Sequence, residues 1–339
     1  MRAWVLRDTR GPASYALERV EDPEPGPGEV RVRLRASALN HLDLWVAHGL
    51  PRPPCLPHVS GADGAGVVEL VGEEVLTPRP GDEVVIDPAT SCGACAACAN
   101  GAVPFCGEFR IVGEHRWGTH AEAVVVPATN AVAKPPTLGW EEAAAFGLVV
   151  SSAVRMARRA RIGAGDRVLV VGVGGGSATA AFLVARALGA EVLATSTRPQ
   201  ARAWASAHGA AATFDSAGPF DEEVRAATDG RGVDVVVDNV GTATFERSLR
   251  ALARGGRLVT NGSTSGRTAE LHLPTLFWRQ LEVIGATMND HEEFREGVRL
   301  VEAGDVRIPV ERTVPFEELP RAIELLEAGG QIGKLVLAR

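Results

Sequence analysis

The 339-residue sequence predicts an α/β protein of two domains, the first mostly β and the second built on a doubly wound parallel sheet. Three observations predict it. EVRVRLRA at 29–36 alternates strictly, with Val30, Val32 and Leu34 on one face and Arg31, Arg33 and Arg35 on the other, as a half-buried strand requires. After about residue 127 the texture changes to short apolar strands alternating with alanine-rich helices. The first of those strands runs into GVGGGS at 172–177, a tight turn that opens a helix.

The elements follow in order. In the first domain, assigned to 1–126, short strands are punctuated by EDPEPGPGE, PRPPCLPH and PRPGDEV, each rich in turn-forming residues. The second domain, assigned to 127–289, repeats βα: RVLVVG, TAAFLVARALGA, EVLATS, ARAWASAHGA, VDVVVDNVG, FERSLRALARGG and RLVTNG. The stretch 290–339 closes with VRIPVERTVPF, a helix PRAIELLEAGG and the strand GKLVLAR, and is expected to return to the first domain.

Composition narrows the partners. The formal charge of −7 is spread without an acidic tail or a basic run, so neither nucleic acid nor an anionic membrane is an expected partner. A small-molecule substrate fits better. No run of about 18 apolar residues occurs, and MRAWVLRDTRGPASY has no apolar leader core, so a cytoplasmic location is expected.

Three clusters carry chemistry: a glycine-rich turn, the polar strand ends that follow it in the parallel sheet, and a run of cysteines. In the glycine-rich turn, Gly172, Gly174, Gly175, Gly176 and Ser177 put backbone N–H groups and a helix dipole against an anion. The spacing G-x-G-x-x-G is met by Gly172 and Gly174 with Ser177 in third place, while G-x-x-G-x-x-A is met by Gly172, Gly175 and Ala178. At the end of the next strand ATSTRPQAR offers Ser196, Thr197, Arg198 and Arg202 and no acid to hold a ribose 2′-OH, which favours NADP over NAD. Asn239 to Gly241 and Gly262 to Ser263 end two further strands of the parallel sheet, where such sheets bind ligands. The third cluster is C-x2-C-x2-C-x7-C at Cys92, Cys95, Cys98 and Cys106, four thiolates in one irregular loop and enough for a closed tetrahedral zinc site. Four sulfur ligands leave no open position, so such a zinc, expected once per chain, fixes a loop and performs no chemistry.

VLVVGVGGGSATAAFLVARALGAEVLATS, GVDVVVDNVG and LARGGRLVTNGSTSG, with ALNHLDLW, PHVSGADGAGVVELVG and IGKLVLAR, resemble the medium-chain dehydrogenase/reductase superfamily over essentially the whole chain. Within it the chain is most similar to the branch of zinc-containing alcohol dehydrogenases and quinone oxidoreductases. The resemblance implies a GroES-like catalytic domain with a structural zinc lobe at about 90–108, a Rossmann domain inserted in it, and an active site in the cleft between them. It implies that the loops at Asn239–Gly241 and Gly262–Ser263 flank the adenosine and nicotinamide halves of the cofactor, and that Lys334 lies near the pyrophosphate. A homodimer or homotetramer is expected, with LEVIGATM pairing across a sheet edge.

The resemblance also exposes a departure. Where the alcohol dehydrogenases carry catalytic zinc ligands, this chain has Asn40, the trio Gly61, Ala62 and Asp63, and Gly147. The ordinary catalytic zinc then lacks its donors, and His41, Asp43, His58 or Asp63 would have to rebuild one. Without a Lewis acid, simple alcohol oxidation loses the group that stabilises an alkoxide, whereas a quinone or conjugated carbonyl spreads the charge left by hydride. The expected activity is NADPH-dependent reduction of such an acceptor, with Asn40 near nicotinamide and substrate and His41 and Asp43 as candidates for proton supply or positioning. An alcohol or aldehyde dehydrogenase with a rebuilt metal site, and a non-catalytic NADPH-binding protein, are the alternatives.

Overall fold

The computed structural model describes residues 1–339. It begins with an antiparallel hairpin of β1 (Arg2–Leu6) and β2 (Tyr15–Arg19). The alternating segment becomes β3 (Glu29–Ala38), which buries Val30, Val32 and Leu34 against Val68, Val84, Ile86 and Val126. Its polar face is less open than alternation alone suggests: Arg31 is buried too, because Glu24 and Glu69 accept from its guanidinium at 3.0 and 2.9 Å.

After α1 (His41–Ala47), β4 (Asp63–Val71) returns antiparallel to β3 and β5 (Glu83–Ile86) antiparallel to β4. A two-residue ribbon of β6 (Ala89–Thr90) and β7 (Arg110–Ile111) closes the cysteine loop, which contains the short helix α2 (Ala96–Ala99). β8 (Ala123–Pro127) pairs with β3, and β9 (Ala131–Ala133) pairs with β5. The expected start of the second domain at 127 is therefore too early. Because β9 belongs to the first sheet, the division into compact units falls at Ser151 and Ser152, inside α3 (Trp140–Ala160).

The second unit, Ser152–Met288 with Ala303–Arg307, carries a six-stranded parallel sheet. In chain order it contains β10 (Arg167–Val171), α4 (Gly176–Ala187), β11 (Glu191–Thr195), α5 (Pro199–Ala207) and β12 (Ala212–Phe214). Then come α6 (Phe220–Ala227), β13 (Val233–Asp238), α7 (Phe245–Ala251), β14 (Leu252–Thr260), α8 (Leu273–Arg279) and β15 (Glu282–Gly285). The spatial order β12-β11-β10-β13-β14-β15 is doubly wound, and its direction reverses between β10 and β13. Ligands of such sheets bind beyond the carboxyl ends of the strands at that reversal, where Gly172 and Asn239 lie. Leu169, Val236, Leu249, Leu252 and Leu258 form its core with Phe220. Burial of each contributes roughly 1.5–3 kcal/mol.

The chain then re-enters the first unit. α9 (His291–Glu302) precedes β16 (Val310–Pro315), α10 (Leu319–Ala328) and β17 (Lys334–Ala338), and β17 pairs antiparallel with β3. That pairing carries Lys334 into the seven-stranded sheet of the first unit. The fold is thus a mostly β domain and a doubly wound parallel-sheet domain, the GroES-like and Rossmann architecture the resemblance implies. No helix is long and apolar enough to cross a membrane.

Candidate active site and metal centre

The β6–β7 ribbon holds the two ends of the cysteine loop together, and the loop gathers all four sulfurs within 4.8 Å of one another. The Cys92–Cys98, Cys95–Cys98 and Cys92–Cys106 separations are 3.8, 3.6 and 3.5 Å. A tetrahedral site with zinc–sulfur bonds of about 2.3 Å has sulfur–sulfur edges of about 3.8 Å, so the four thiolates fit zinc with sulfur shifts of about 1 Å at most. Such an ion would be fully coordinated by protein and would brace the loop.

In the parallel-sheet unit, Gly172 and Gly174 take φ of +82° and +113°, which side chains other than hydrogen resist. A Cβ at Gly174 would also overlap the Arg198 guanidinium, so the turn admits only glycine there and places that cation directly on it. Gly174 N–H donates to the Thr179 hydroxyl at 3.2 Å, which fixes the turn. Gly175 is the N-cap of α4 and provides no side-chain cap, so the first N–H groups, from Gly176 and Ser177, are left to an anion.

Ser196 and Arg198 meet at the end of β11, where the Arg198 N–H donates to the Ser196 hydroxyl at 3.3 Å. Arg202 donates to the Ser196 carbonyl at 2.6 Å and pairs with Asp215 at 3.3 Å, while Thr197 is exposed. Beyond β13 the buried Asp238 accepts from the N–H groups of Val240 and Gly241 and the hydroxyls of Thr244 and Ser248, shaping the loop that contains Asn239. Asn239 Oδ1 accepts from Asn261 N–H at 3.1 Å, but its buried Nδ2 has no protein partner. A Cβ at Gly262 would lie 3.1 Å from the Asn239 carbonyl, so the loop of Gly262 and Ser263 sits against it. Close backbone approach, an uncapped helix start and an orphaned buried donor are what a dinucleotide needs, and these residues fit one.

The ligand-position residues meet in the GroES-like unit. Asn40 precedes α1, and Asp43, at the third position of that helix, accepts from Asn40 N–H at 2.8 Å and Gly61 N–H at 3.0 Å. His120 lies 3.4 Å from the same carboxylate. Burial pushes the Asp43 carboxyl up, but the neighbouring His120 and the Asn40 N–H more than reverse this and hold it below its ordinary value. With both oxygens engaged and 1% exposure, Asp43 is placed as a clamp between Asn40 and the Gly61 segment, which matches the positioning role among the two expected of it. His41 retains an exposed edge, and desolvation of the rest of the ring with the charge of Lys334 favours its neutral form.

Asp63, the first residue of β4, is fully buried. Its Oδ2 accepts from Asn40 Nδ2 at 2.9 Å and Lys334 Nζ at 2.8 Å, and its Oδ1 accepts from Leu148 N–H at 2.7 Å. Lys334 Nζ also donates to Asn40 Oδ1 at 2.6 Å. The three side chains thus close a triangle of hydrogen bonds around the missing zinc-ligand positions. Lys334 is 3% exposed, and its ammonium is committed here instead of standing free for the expected pyrophosphate contact. Ala62 has no donor, and a Cβ at Gly147 would come within 2.9 Å of Asp63 Oδ1, which puts Gly147 at this cluster. His58 instead faces the Gly113 carbonyl at 3.0 Å. Of the sets of three or more His, Cys, Asp and Glu, only the four cysteines are gathered as a metal site.

Known proteins agree with this architecture. Residues 26–137 match the alcohol dehydrogenase GroES-like domain, and residues 172–303 match the zinc-binding dehydrogenase family. The chain is 30% identical over 338 residues to an acryloyl-coenzyme A reductase of Metallosphaera sedula, covering 99% of each. It is 32% identical to a quinone oxidoreductase of Pseudomonas aeruginosa, covering 96% of each. The crystal structure of an NAD-dependent alcohol dehydrogenase superposes with a TM-score of 0.96 at 43% identity, over 100% of both chains. With the GroES-like sheet, the doubly wound sheet and the dinucleotide turn, these likenesses make the chain a member of the medium-chain dehydrogenase/reductase superfamily and an NAD(P)-dependent oxidoreductase of its quinone oxidoreductase and alcohol dehydrogenase type.

Proposed function

We propose that this oxidoreductase uses NADPH to reduce a quinone or another conjugated carbonyl, without a catalytic zinc. The observation that carries the proposal is the Lys334 ammonium bonded to Asn40 and Asp63. A dication about 4 Å from that ammonium would meet a repulsion of roughly 8 kcal/mol at an effective dielectric of about 20. The one carboxylate of the cluster, Asp63, is already paired with that ammonium, and Asn40, Ala62 and Gly147 supply no further anionic donor to offset the repulsion. One buried cation therefore replaces another.

A bound nicotinamide supplies the hydride. The chain's contribution is to hold the acceptor and stabilise the charge that develops on it. Asn40 Nδ2 carries two hydrogens and gives one to Asp63, leaving one for a carbonyl oxygen. A single neutral donor suffices when conjugation spreads the charge, as in quinones and α,β-unsaturated thioesters. The acryloyl-coenzyme A reductase and quinone oxidoreductase relatives support that acceptor class. NADPH is favoured because the β11 end offers Ser196, Arg198 and Arg202 in place of an acid that would repel a 2′-phosphate.

For assembly we propose a pair of chains joined at the β15 edge. Phe277 and Trp278 beside it are 65% and 72% exposed, and Val283 on the strand is also exposed. The functional proposal is tested by following NADPH oxidation across quinones, 2-enoyl thioesters, saturated aldehydes and no acceptor. Turnover confined to the first two supports it. Preference for saturated aldehydes, or NADPH binding without turnover of any acceptor, contradicts it.

A further inference from the structure

We propose that Lys334 is a positioning residue that acts on the reaction through the Asn40 amide, fixing its orientation and polarising its free N–H toward the acceptor. The inference rests on the reading that Asn40 faces the acceptor and goes beyond it. Its basis is the pattern of bonds: the amide oxygen accepts from the ammonium at 2.6 Å, and one amide hydrogen is given to Asp63 at 2.9 Å. With both ends held, the amide cannot flip, and its second hydrogen points in one direction only.

A cation on the oxygen draws density through the conjugated amide and makes the N–H a stronger donor, as hydrogen-bonded chains polarise one another in a low-dielectric interior. The Asp63 carboxylate balances the charge and braces both partners, and Leu148 N–H at 2.7 Å braces Asp63 in turn. Lys334 reaches this place because β17 pairs with β3, whose end leads directly to Asn40. All four residues lie in the same compact unit.

The test is a double-mutant cycle in the full-length chain, read as kcat with 1,4-benzoquinone and NADPH. Lys334→Met alone leaves a buried carboxylate without its cation and endangers the fold, so Asp63→Asn/Lys334→Met is used as a charge-neutral block. That block is expected to lower kcat about 10- to 100-fold, with NADPH affinity changed less than about twofold. In an Asn40→Ala background the same block is expected to lower kcat no further. Side-chain amide NMR supplies a readout independent of turnover: the Asn40 Nδ2 hydrogens shift in the block variant and exchange faster with solvent.

Additive losses, or Asn40 amide signals unmoved in a folded block variant, would overturn the inference. If the amide signals move but Asn40→Ala retains wild-type kcat, the linkage of Asn40 to the Lys334–Asp63 pair stands and the placement of Asn40 at the acceptor fails.

Discussion

Replacing Arg198 with Ala isolates the choice of cofactor. The side chain makes no cap bond to α5, although its residue is the N-cap, so the substitution leaves the helix start intact. Its guanidinium packs on Gly174 of the phosphate turn, near the Ser196 hydroxyl that accepts from the Arg198 N–H. A charged hydrogen bond of that kind contributes roughly 1.5–3 kcal/mol, which converts to a 10- to 150-fold loss of NADPH affinity. NADH lacks the 2′-phosphate and should bind with little change. Arg202 cannot compensate in full, because the Ser196 carbonyl and Asp215 already engage it. Titration of both cofactors by nicotinamide fluorescence measures the ratio. Equal losses, or a wild type that prefers NADH, would refute the assignment, and the NAD-dependent alcohol dehydrogenase at 43% identity makes that a demanding test.

Three further outcomes are expected. Cys95→Ser should release zinc and lower the melting temperature of the GroES-like unit, leaving NADPH affinity unchanged wherever the protein stays folded; full zinc retention by elemental analysis would contradict the four-thiolate site. Burial raises the Glu114 carboxyl from 4.5 to about 7, so between those values the folded chain retains a proton the unfolded chain has lost, and stability falls as pH rises through that window. Glu114→Gln should therefore remove a pH-dependent loss of roughly 3 kcal/mol between pH 4.5 and 7, seen as a flatter denaturant midpoint against pH, and parallel wild-type and variant profiles would reject the assignment. Trp278→Glu should convert the pair of chains to monomers by light scattering; an unchanged mass would move the contact elsewhere.

Local signals determined how much of this was legible. β10 and β13 announce themselves as valine-rich runs, and β11 and the end of β14 as the short apolar cores VLAT and RLVT, but the helix read over FERSLRALARGG stops at Ala251 and its last five residues open β14. β12 and α6 escaped notice: Ala212–Phe214 is three residues long and only half-buried, and Phe220–Ala227 is dominated by charge. The cysteine spacing was decisive because all four ligands fall within one loop. Asn40 and Gly147 could be placed only through the resemblance, since an asparagine before a helix and a glycine within one are common. The link to Lys334 was invisible because 271 residues separate it from Asp63, and nothing in IGKLVLAR says which buried anion its ammonium will meet. The same lysine was instead expected beside the pyrophosphate. Which of its two expected roles Asp43 takes was illegible for a related reason: its character depends on Gly61 and His120, which only the folded sheet brings to it.

The central claim, that a buried lysine stands where the family's catalytic zinc would be, is tested most directly by the zinc content of the active enzyme. Purified protein turning over a conjugated carbonyl should contain one zinc per chain, held by the four thiolates. Two zincs per chain, with the second lost to a mild chelator together with turnover and restored by added zinc, would contradict it.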